Sequence, residues 1–170
     1  MLSLEMVKKL NDQINREHYA HNLYLAMGSW CRSTGLDGAA DFLLEHAKEE
    51  MEHMMRLFTY VSEAGSQATV GALKEPPNQF ESLKDVIEQT YEHELLVTKF
   101  INELVGFAIE EKDYSTHNFL QWFIAEQHEE EALFKGILDK IELIGTEGTG
   151  LYMIDREIKE LARMEQMPTE

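Results

Sequence analysis

The chain has 170 residues, of which 44% are hydrophobic, and a formal net charge of −17 at pH 7. This length predicts a single domain over residues 1–170 with a substantial core, and no apolar run reaches the roughly 18 residues that a transmembrane helix needs. The negative charge argues against nucleic acid and anionic membranes as partners, and it favours cations as ligands.

The first predicted helix begins close to the N-terminus, which is amphipathic and charged rather than continuously apolar. No secretion signal is therefore expected. The only cysteine, Cys31, excludes an internal disulfide and suits a reducing environment, so we expect a cytoplasmic protein. One face of this helix, read at steps of three and four residues, consists of Val7, Leu10, Ile14, Glu17, His21 and Tyr24.

A turn at residues 34–38 separates the first helix from the second. Asp37 is predicted as the N-cap of the second helix, because its side chain can accept a hydrogen bond from a free backbone N–H group. A long irregular segment with two prolines follows this helix at about residues 65–80. The core-facing positions of the second helix are Leu43, Ala47, Glu50, His53 or Met54, Leu57 and Val61.

The second half of the chain repeats this arrangement. Ser82 and Asp85 resemble a capping box that opens the third helix, and a short turn at residues 112–115 leads into the fourth. The third helix places on one face Leu83, Ile87, Thr90, Glu94, Val97, Ile101, Leu104 and Ala108. The residues on one face of the fourth helix are Leu120, Phe123, Gln127, Glu130, Phe134, Ile137, Ile141 and Ile144.

These elements predict an all-α protein: a four-helix bundle with a long crossover between helices 2 and 3. Short turns make helices 1 and 2 antiparallel neighbours, and likewise helices 3 and 4. Each main helix of roughly 28 residues is about 42 Å long, which a crossover of about 15 residues can span. Residues 151–164 are predicted to form a short fifth C-terminal helix. Because residues 151–154 are too apolar for a free tail, we expect this helix to pack in an intersubunit contact.

Four polar residues interrupt the apolar faces in two matching halves. Glu17 is followed 33 residues later by Glu50, and Glu94 is followed 33 residues later by Gln127. Burying carboxylates is unfavourable unless a positive group compensates them, and these faces contain no lysine or arginine. A metal ion is therefore the predicted compensator. The spacing Glu50-x-x-His53 lets a carboxylate and an imidazole ligate one ion, a donor set that suits iron, manganese or zinc.

Three stretches of the sequence carry a resemblance to a known family. They are Glu49-Glu50-Met51-Glu52-His53, Asn118-Phe119-Leu120-Gln121-Trp122 and Glu126-Gln127-His128-Glu129-Glu130-Glu131. In these stretches, and over essentially the whole chain, the sequence resembles the bacterial non-haem ferritins, which are ferritin-like di-iron carboxylate proteins. The resemblance implies one iron held by Glu17, Glu50 and His53, and a second held by Glu50, Glu94 and Glu130.

The resemblance also suggests roles for the neighbouring residues. It implies that Gln127 lies next to the dioxygen position. It also implies that Tyr24 lies beside the iron pair, either as an electron donor or as a packing residue with its hydroxyl on a ligand carboxylate. A third iron position, toward the interior of a shell, would be formed by Glu49, Glu126, Glu129 and Glu130. The other histidines are expected at the surface, in contacts or in cavities rather than as ligands: His18, His21, His46, His117 and His128.

The function that the resemblance implies is iron storage. A shell of 24 identical subunits would oxidise Fe(II) with dioxygen or hydrogen peroxide and keep the product as a ferric mineral. Bacterioferritins carry a second Glu-x-x-His on the fourth helix, where this chain has Gln127 and Glu130, and no haem is expected here. Two other functions stay open: a monomeric or dimeric di-iron oxidase of an organic substrate, and a cage or scaffold subunit with a vestigial site.

Overall fold

A computed structural model describes residues 2–165, with side chains as far as residue 161. This part of the chain is helical, with no strand among the described residues, and the predicted all-α class is confirmed. None of these helices is both long and apolar enough to cross a membrane. The ends of the predicted domain, residue 1 and residues 166–170, lie outside the described residues. The helices are α1 (Leu4–Ser33), α2 (Asp37–Glu63), α3 (Leu83–Glu110), α4 (Tyr114–Ile144) and α5 (Thr149–Glu165).

The bundle consists of two hairpins joined by the predicted long crossover. α1 packs along α2 and α3 packs along α4, while α1 also contacts α3. Two asparagines one turn apart on α1 hold the crossover against the bundle. Asn11 Oδ1 accepts the backbone N–H of Thr69 at 2.8 Å, and Asn15 Oδ1 accepts that of Gly71 at 2.7 Å. The crossover therefore follows α1 rather than leaving the bundle.

Side-chain caps start the helices of the second hairpin. Ser82 Oγ accepts the backbone N–H of Asp85 at 3.1 Å, as the predicted capping box requires, whereas Asp85 Oδ2 accepts the N–H of Glu81 at 2.9 Å, one residue before the N-cap Ser82. Asp113 caps α4 by accepting the backbone N–H of Thr116 at 3.1 Å. These short-range hydrogen bonds define where α3 and α4 begin.

The start of α2 is capped from a distant part of the chain, and the prediction of Asp37 as N-cap is wrong. Asp37 is the first residue of the helix and pairs with Arg32 at 3.0 Å. The Asp155 carboxylate of α5 instead accepts the backbone N–H groups of Gly38 at 3.0 Å and Ala39 at 2.8 Å. A Cβ atom on Gly38 would lie 2.0 Å from the Asp155 carbonyl oxygen, so only glycine permits this approach.

α5 completes the core of its own chain. Ile154 and Ile158 are buried in the same apolar cluster as residues of α1, α2 and α4. The expectation that residues 151–154 need another subunit to cover them is therefore wrong for Ile154. Tyr152 and Met153 remain exposed on the outer face of α5. Among the described side chains of α5, Ile154 and Ile158 are thus used within the chain, whereas Tyr152 and Met153 are exposed to solvent.

A polar layer divides the core into two apolar clusters. On α1 the change from one cluster to the other occurs at Glu17, on α2 at Glu50 and on α3 at Glu94. On α4 it occurs across Gln127 and Glu130. The interruptions of the four faces therefore meet at one level, as predicted. Three positions predicted in the core are not buried: Val7, His21 and Ile144.

Candidate metal centre

One half of the centre is formed by Glu17 from α1 with Glu50 and His53 from α2. Each of the three offers a ligand atom, and these atoms lie within 4.8 Å of one another. Glu50 and His53 are three residues apart, so the helical period places them on the same face, with Glu50 Oε2 3.6 Å from His53 Nδ1. All three side chains are buried in the bundle. The structure thus brings together the first predicted ligand set.

The two oxygens of Glu17 have different surroundings. Its Oε1 accepts a hydrogen bond of 2.7 Å from Gln13 Nε2, whereas its Oε2 is buried and has no hydrogen-bond partner. Buried acceptors without a partner are rare in folded proteins, and a cation would satisfy this one. Gln13 is fully buried and was not predicted in the core. Its signal in the sequence is the four-residue spacing to Glu17, which places both on one face of α1.

Both oxygens of Glu94 have donors. The Tyr24 hydroxyl donates to Oε1, and Gln127 Nε2 donates to Oε2 at 3.0 Å. Burial, followed by the nearby carboxylate of Glu130, raises the pKa of Glu94 to about 7, although the two hydrogen bonds act in the opposite direction. Tyr24 therefore lies with its hydroxyl on a predicted ligand carboxylate, which was one of its two predicted roles.

Glu50 has the most unfavourable environment for a negative charge. Burial raises its pKa well above the ordinary value, and three neighbouring carboxylates add to the shift. In order of effect they belong to Glu94, Glu17 and Glu130. A proton or a cation must therefore compensate Glu50 at neutral pH. The charges of Glu94 and Glu130 both raise the pKa of Glu50, so the three carboxylates of the predicted second ligand set are close enough to repel one another. That they bind one metal ion together stays a prediction.

A second group of potential ligands contains a histidine that sequence reasoning did not assign. His46, Glu49 and Glu130 bring their ligand atoms within 4.8 Å of one another. His46 Nε2 lies 3.4 Å from Glu130 Oε2 and 3.8 Å from Glu49 Oε2. His46 is buried between the rings of Phe42 and Phe134 rather than at the surface. Its spacing to Glu50 and His53, four and seven residues, was the signal that could have identified it.

The remaining acidic residues of the predicted third position line a cleft of about 600 Å³ next to the centre. Burial raises the pKa of Glu49 and Glu126, whereas Glu129 is exposed. The cleft also contains His53 and Trp122, whose rings contact each other edge to face at 5.3 Å. Its acidic lining consists of Glu49, Glu52, Glu126, Glu129 and Glu130.

The donor set fits a transition-metal ion. Carboxylate oxygens with one imidazole suit iron, manganese or zinc. The buried Glu17 Oε2 has no N–H partner, and a hydrogen bond between Glu17 and the carboxyl of Glu50 helps to raise the pKa of Glu50, so a cation would replace the proton shared by these two acids. The raised pKa of Glu50 is a further reason to expect a metal ion here, because a cation would replace the proton that this carboxyl group otherwise needs. The five other histidines stay apart from both ligand groups: His18, His21, His93 and His117 are half-buried, and His128 is exposed.

The fold and this centre define a ferritin-like protein, and residues 7–144 match the family model described as Ferritin-like domain. The chain belongs to this family. It is 57% identical to the bacterial non-heme ferritin of Campylobacter jejuni, over 95% of this chain and 97% of the relative. It is 56% identical to a probable bacterial non-heme ferritin-like protein of Haemophilus influenzae, over 95% of this chain and 98% of that relative. The resemblance to bacterial non-haem ferritins is thereby confirmed.

Solved structures agree with this assignment. An open pore ferritin from the archaeon Archaeoglobus fulgidus is 44% identical and superposes with a TM-score of 0.91. The match covers 94% of this chain and 98% of that structure. The bundle, its crossover and α5 are therefore the fold of a ferritin.

Proposed function

We propose that this protein stores iron in the cytoplasm by oxidising Fe(II) at a buried pair of metal positions. The ferric product is retained as a mineral inside a shell of 24 subunits. The observation that carries the proposal is the buried group of Glu17, Glu50 and His53, with ligand atoms within 4.8 Å of one another. The similarity to bacterial non-haem ferritins supports iron as the cargo.

Glu50 is the residue we assign between the two positions. It lies beside His53, and Glu94 is the carboxylate with the largest effect on its pKa after burial itself. Two Fe(II) ions release two electrons, which together with two protons reduce dioxygen to hydrogen peroxide. With hydrogen peroxide as the oxidant, the same electrons and protons form water. The surrounding carboxylates favour Fe(III) over Fe(II), because the higher charge gains more from the same negative groups.

Glu130 is assigned as the residue through which iron leaves the buried pair. It lies beside His46 and Glu49 and also lines the acidic cleft. We assign Glu126 and Glu129 to a third iron position in this cleft, with Glu49 and Glu130. This side has several carboxylates beside the His46 imidazole, and carboxylates can change their coordination readily, so it suits transfer of the ion toward a mineral.

The acidic cleft also bears on the two other functions. An oxidase of an organic substrate needs a largely apolar pocket, and Trp122, Ala132 and Leu133 give the cleft beside this centre an apolar part, but its five carboxylates favour a cation. A vestigial site would have no reason to keep buried carboxylates that disfavour folding without a metal. Both observations support iron as the substrate of an active centre.

Apolar groups on the outside of the chain support assembly into a homo-oligomer. Leu143, at the end of α4, is 86% exposed, and Tyr152 and Met153 on α5 are 63% and 52% exposed. Exposed apolar groups near one another commonly mark a contact with a partner. We propose that this end of the bundle contacts identical subunits in the 24-subunit shell.

The test is aerobic addition of Fe(II) to the purified apoprotein. We expect oxidation faster than in protein-free buffer, iron that co-elutes with the protein, and a particle many times the mass of one chain. Preincubation with Zn(II), which cannot be oxidised, should slow the reaction by occupying the centre. Oxidation no faster than in buffer would exclude the ferroxidase activity, and a particle of single-chain mass would exclude the shell.

A further inference from the structure

Gln13 connects a proposed iron ligand to a group at the edge of the bundle. Its Nε2 donates to Glu17 Oε1 at 2.7 Å, and its Oε1 accepts a hydrogen bond of 3.2 Å from Arg16 Nη1. The Arg16 guanidinium in turn lies over the ring of Phe100, 3.6 Å from its centroid. Gln13 is fully buried and Glu17 is 1% exposed, so the hydrogen bond between them is shielded from water.

The chemistry of the three groups allows only one orientation of the Gln13 amide. A guanidinium can only donate hydrogen bonds, so the amide oxygen must face Arg16. The amide nitrogen then faces Glu17, whose ionised carboxylate can only accept. The stack on Phe100 holds the guanidinium in place, since a cation over an aromatic face is attracted to the ring. The ring of Phe100 therefore holds the Arg16 guanidinium, the guanidinium orients the Gln13 amide, and the amide nitrogen points at Glu17.

The consequence concerns which oxygen of Glu17 is available to a metal. Oε1 is occupied by the Gln13 donor, while Oε2 is buried and without a hydrogen-bond partner. Rotation of the carboxylate would require the hydrogen bond from Gln13 to break. Binding through both oxygens would place a metal on the second lone pair of Oε1, beside the Gln13 donor, so the hydrogen bond favours binding through Oε2. Outer hydrogen-bond partners of this kind orient metal ligands, and their loss typically lowers metal affinity by about 10- to 100-fold.

We propose that Gln13 is a positioning residue that makes Glu17 a one-oxygen ligand of the first metal position, and that Arg16 sets the orientation of the Gln13 amide. The inference rests on the proposed function, because it assigns Glu17 to a metal. One-oxygen binding by Glu17 leaves an additional coordination place at the first position. That place is where an oxidant can approach the ion.

The experiment uses Co(II), a redox-inert substitute for Fe(II), bound to the intact wild-type protein and to the Gln13→Met variant. Methionine has nearly the shape of glutamine but no amide. We expect the variant to bind the first Co(II) about 10- to 100-fold more weakly. We also expect weaker visible absorption per bound ion, because a second Glu17 oxygen raises the coordination number and Co(II) with six ligands absorbs less than Co(II) with fewer.

Gln89→Met is the matched control. Gln89 Nε2 donates to Asp85 Oδ1 at 2.9 Å, four residues away on α3, and neither residue belongs to the metal centre. The Co(II) affinity and the Co(II) spectrum of Gln89→Met should equal those of the wild type. Arg16→Leu retains the amide but releases its orientation, so it should change the spectrum in the same direction by a smaller amount. This variant alters only a half-buried side chain and provides a second test should Gln13→Met fold poorly.

The outcomes separate the positioning role from the proposed function. If the wild type neither binds Co(II) nor oxidises Fe(II) faster than buffer does, the proposed function fails and this inference fails with it. If the wild type does both, but the Co(II) spectra of Gln13→Met and Arg16→Leu match its own, only the positioning role is overturned. A changed spectrum in Gln13→Met, with that of Gln89→Met unchanged, supports the role.

Discussion

In the first hairpin Glu17 keeps one buried oxygen without a hydrogen-bond partner, whereas in the second hairpin both oxygens of Glu94 accept hydrogen bonds. A cation, or a proton shared with Glu50, would satisfy this oxygen of Glu17, whereas both oxygens of Glu94 are already satisfied by Tyr24 and Gln127. The second ligand set still has one such oxygen, because Glu130 Oε2 is buried without a hydrogen-bond partner and lies 3.4 Å from His46 Nε2. The two halves therefore differ in how many oxygens the protein itself holds by hydrogen bonds: one at Glu17 and two at Glu94.

The largest expected effect comes from the residue between the two halves. Glu50→Ala should slow Fe(II) oxidation by more than the roughly 100-fold that loss of an outer hydrogen-bond partner costs, because both positions lose a ligand. The apoprotein should remain folded and at least as stable, since a buried carboxylate among carboxylates is removed. Stopped-flow absorbance after aerobic Fe(II) addition measures the rate. Glu103→Ala, at an exposed acid of α3 outside the centre and the cleft, is the control, and equal rates in the two variants would place the centre elsewhere.

The second effect concerns the stability of the apoprotein as a function of pH. Glu94 has a pKa raised from 4.5 to about 7, so the folded state holds a proton that the unfolded state releases. The corresponding stability is present below pH 4.5 and is lost as the pH rises through about 7. The difference is roughly 3 kcal/mol for this group alone. Urea unfolding of the apoprotein at several pH values measures it.

Glu94→Gln serves as the control for this pH dependence. The variant should show a flatter dependence between pH 4.5 and about 7, because the titrating group has been replaced by a neutral amide. A steep dependence that survives in Glu94→Gln would assign the titration to other carboxylates. In that case the second half of the centre would be no better compensated by hydrogen bonds than the first.

A smaller effect is expected when a donor is removed from the second half alone. Tyr24→Phe deletes the hydroxyl that donates to Glu94 and should weaken Co(II) binding by roughly tenfold, at the second equivalent rather than the first, because the hydroxyl orients this carboxylate. Calorimetric titration of the apoprotein separates the two equivalents. Tyr19→Phe, a nearby half-buried tyrosine, should leave both unchanged. An effect of Tyr24→Phe on the first equivalent would contradict the independence of the two halves.

The smallest effect is expected from a change that makes the two halves more alike. Glu130→His supplies the second half with an imidazole and removes a carboxylate shared with the cleft. Iron should then leave the pair more slowly after oxidation, and the fast phase should recover only partly before a second Fe(II) addition. The control is Glu142→His, which changes an exposed acid of the same helix outside the cleft. Equal recovery in Glu130→His and the wild type would show that iron does not leave through Glu130.

Helical periodicity was enough to predict which acidic and amide residues meet in the core. Glu17, Glu50, Glu94 and Gln127 interrupt apolar faces at matching positions, and a helix of constant pitch must direct such residues toward the same core. Connection lengths then specified the crossover, because a segment of about 15 residues can span the bundle whereas short turns cannot. These conclusions needed only local geometry, which explains why the structure bears them out.

The width and phase of each buried face depended on the neighbouring helices. Gln13 and His46 lie beside Ile14 and Ala47 on the sequence, and as polar residues they were left outside the predicted faces. The structure buries both, because α1 and α2 pack closely enough to cover a wider arc of each helix. Conversely, Val7 and His21 lie at the edge of the arc that α1 actually buries. Periodicity predicts the direction in which each side chain points, but not how far the neighbouring helices bury it.

Long-range hydrogen bonds were decided only by the tertiary structure. Asp37 is the local candidate for the cap of α2, yet Asp155 fills that role from α5, because the return of the chain brings its carboxylate to two free N–H groups. The same applies to Glu94, whose partners come from α1 and α4. The sequence by itself determined the helices, their order and the carboxylates that face the core. Which oxygen of each carboxylate remains available to a metal was decided by packing, since a hydrogen bond depends on distances between atoms that no local pattern specifies.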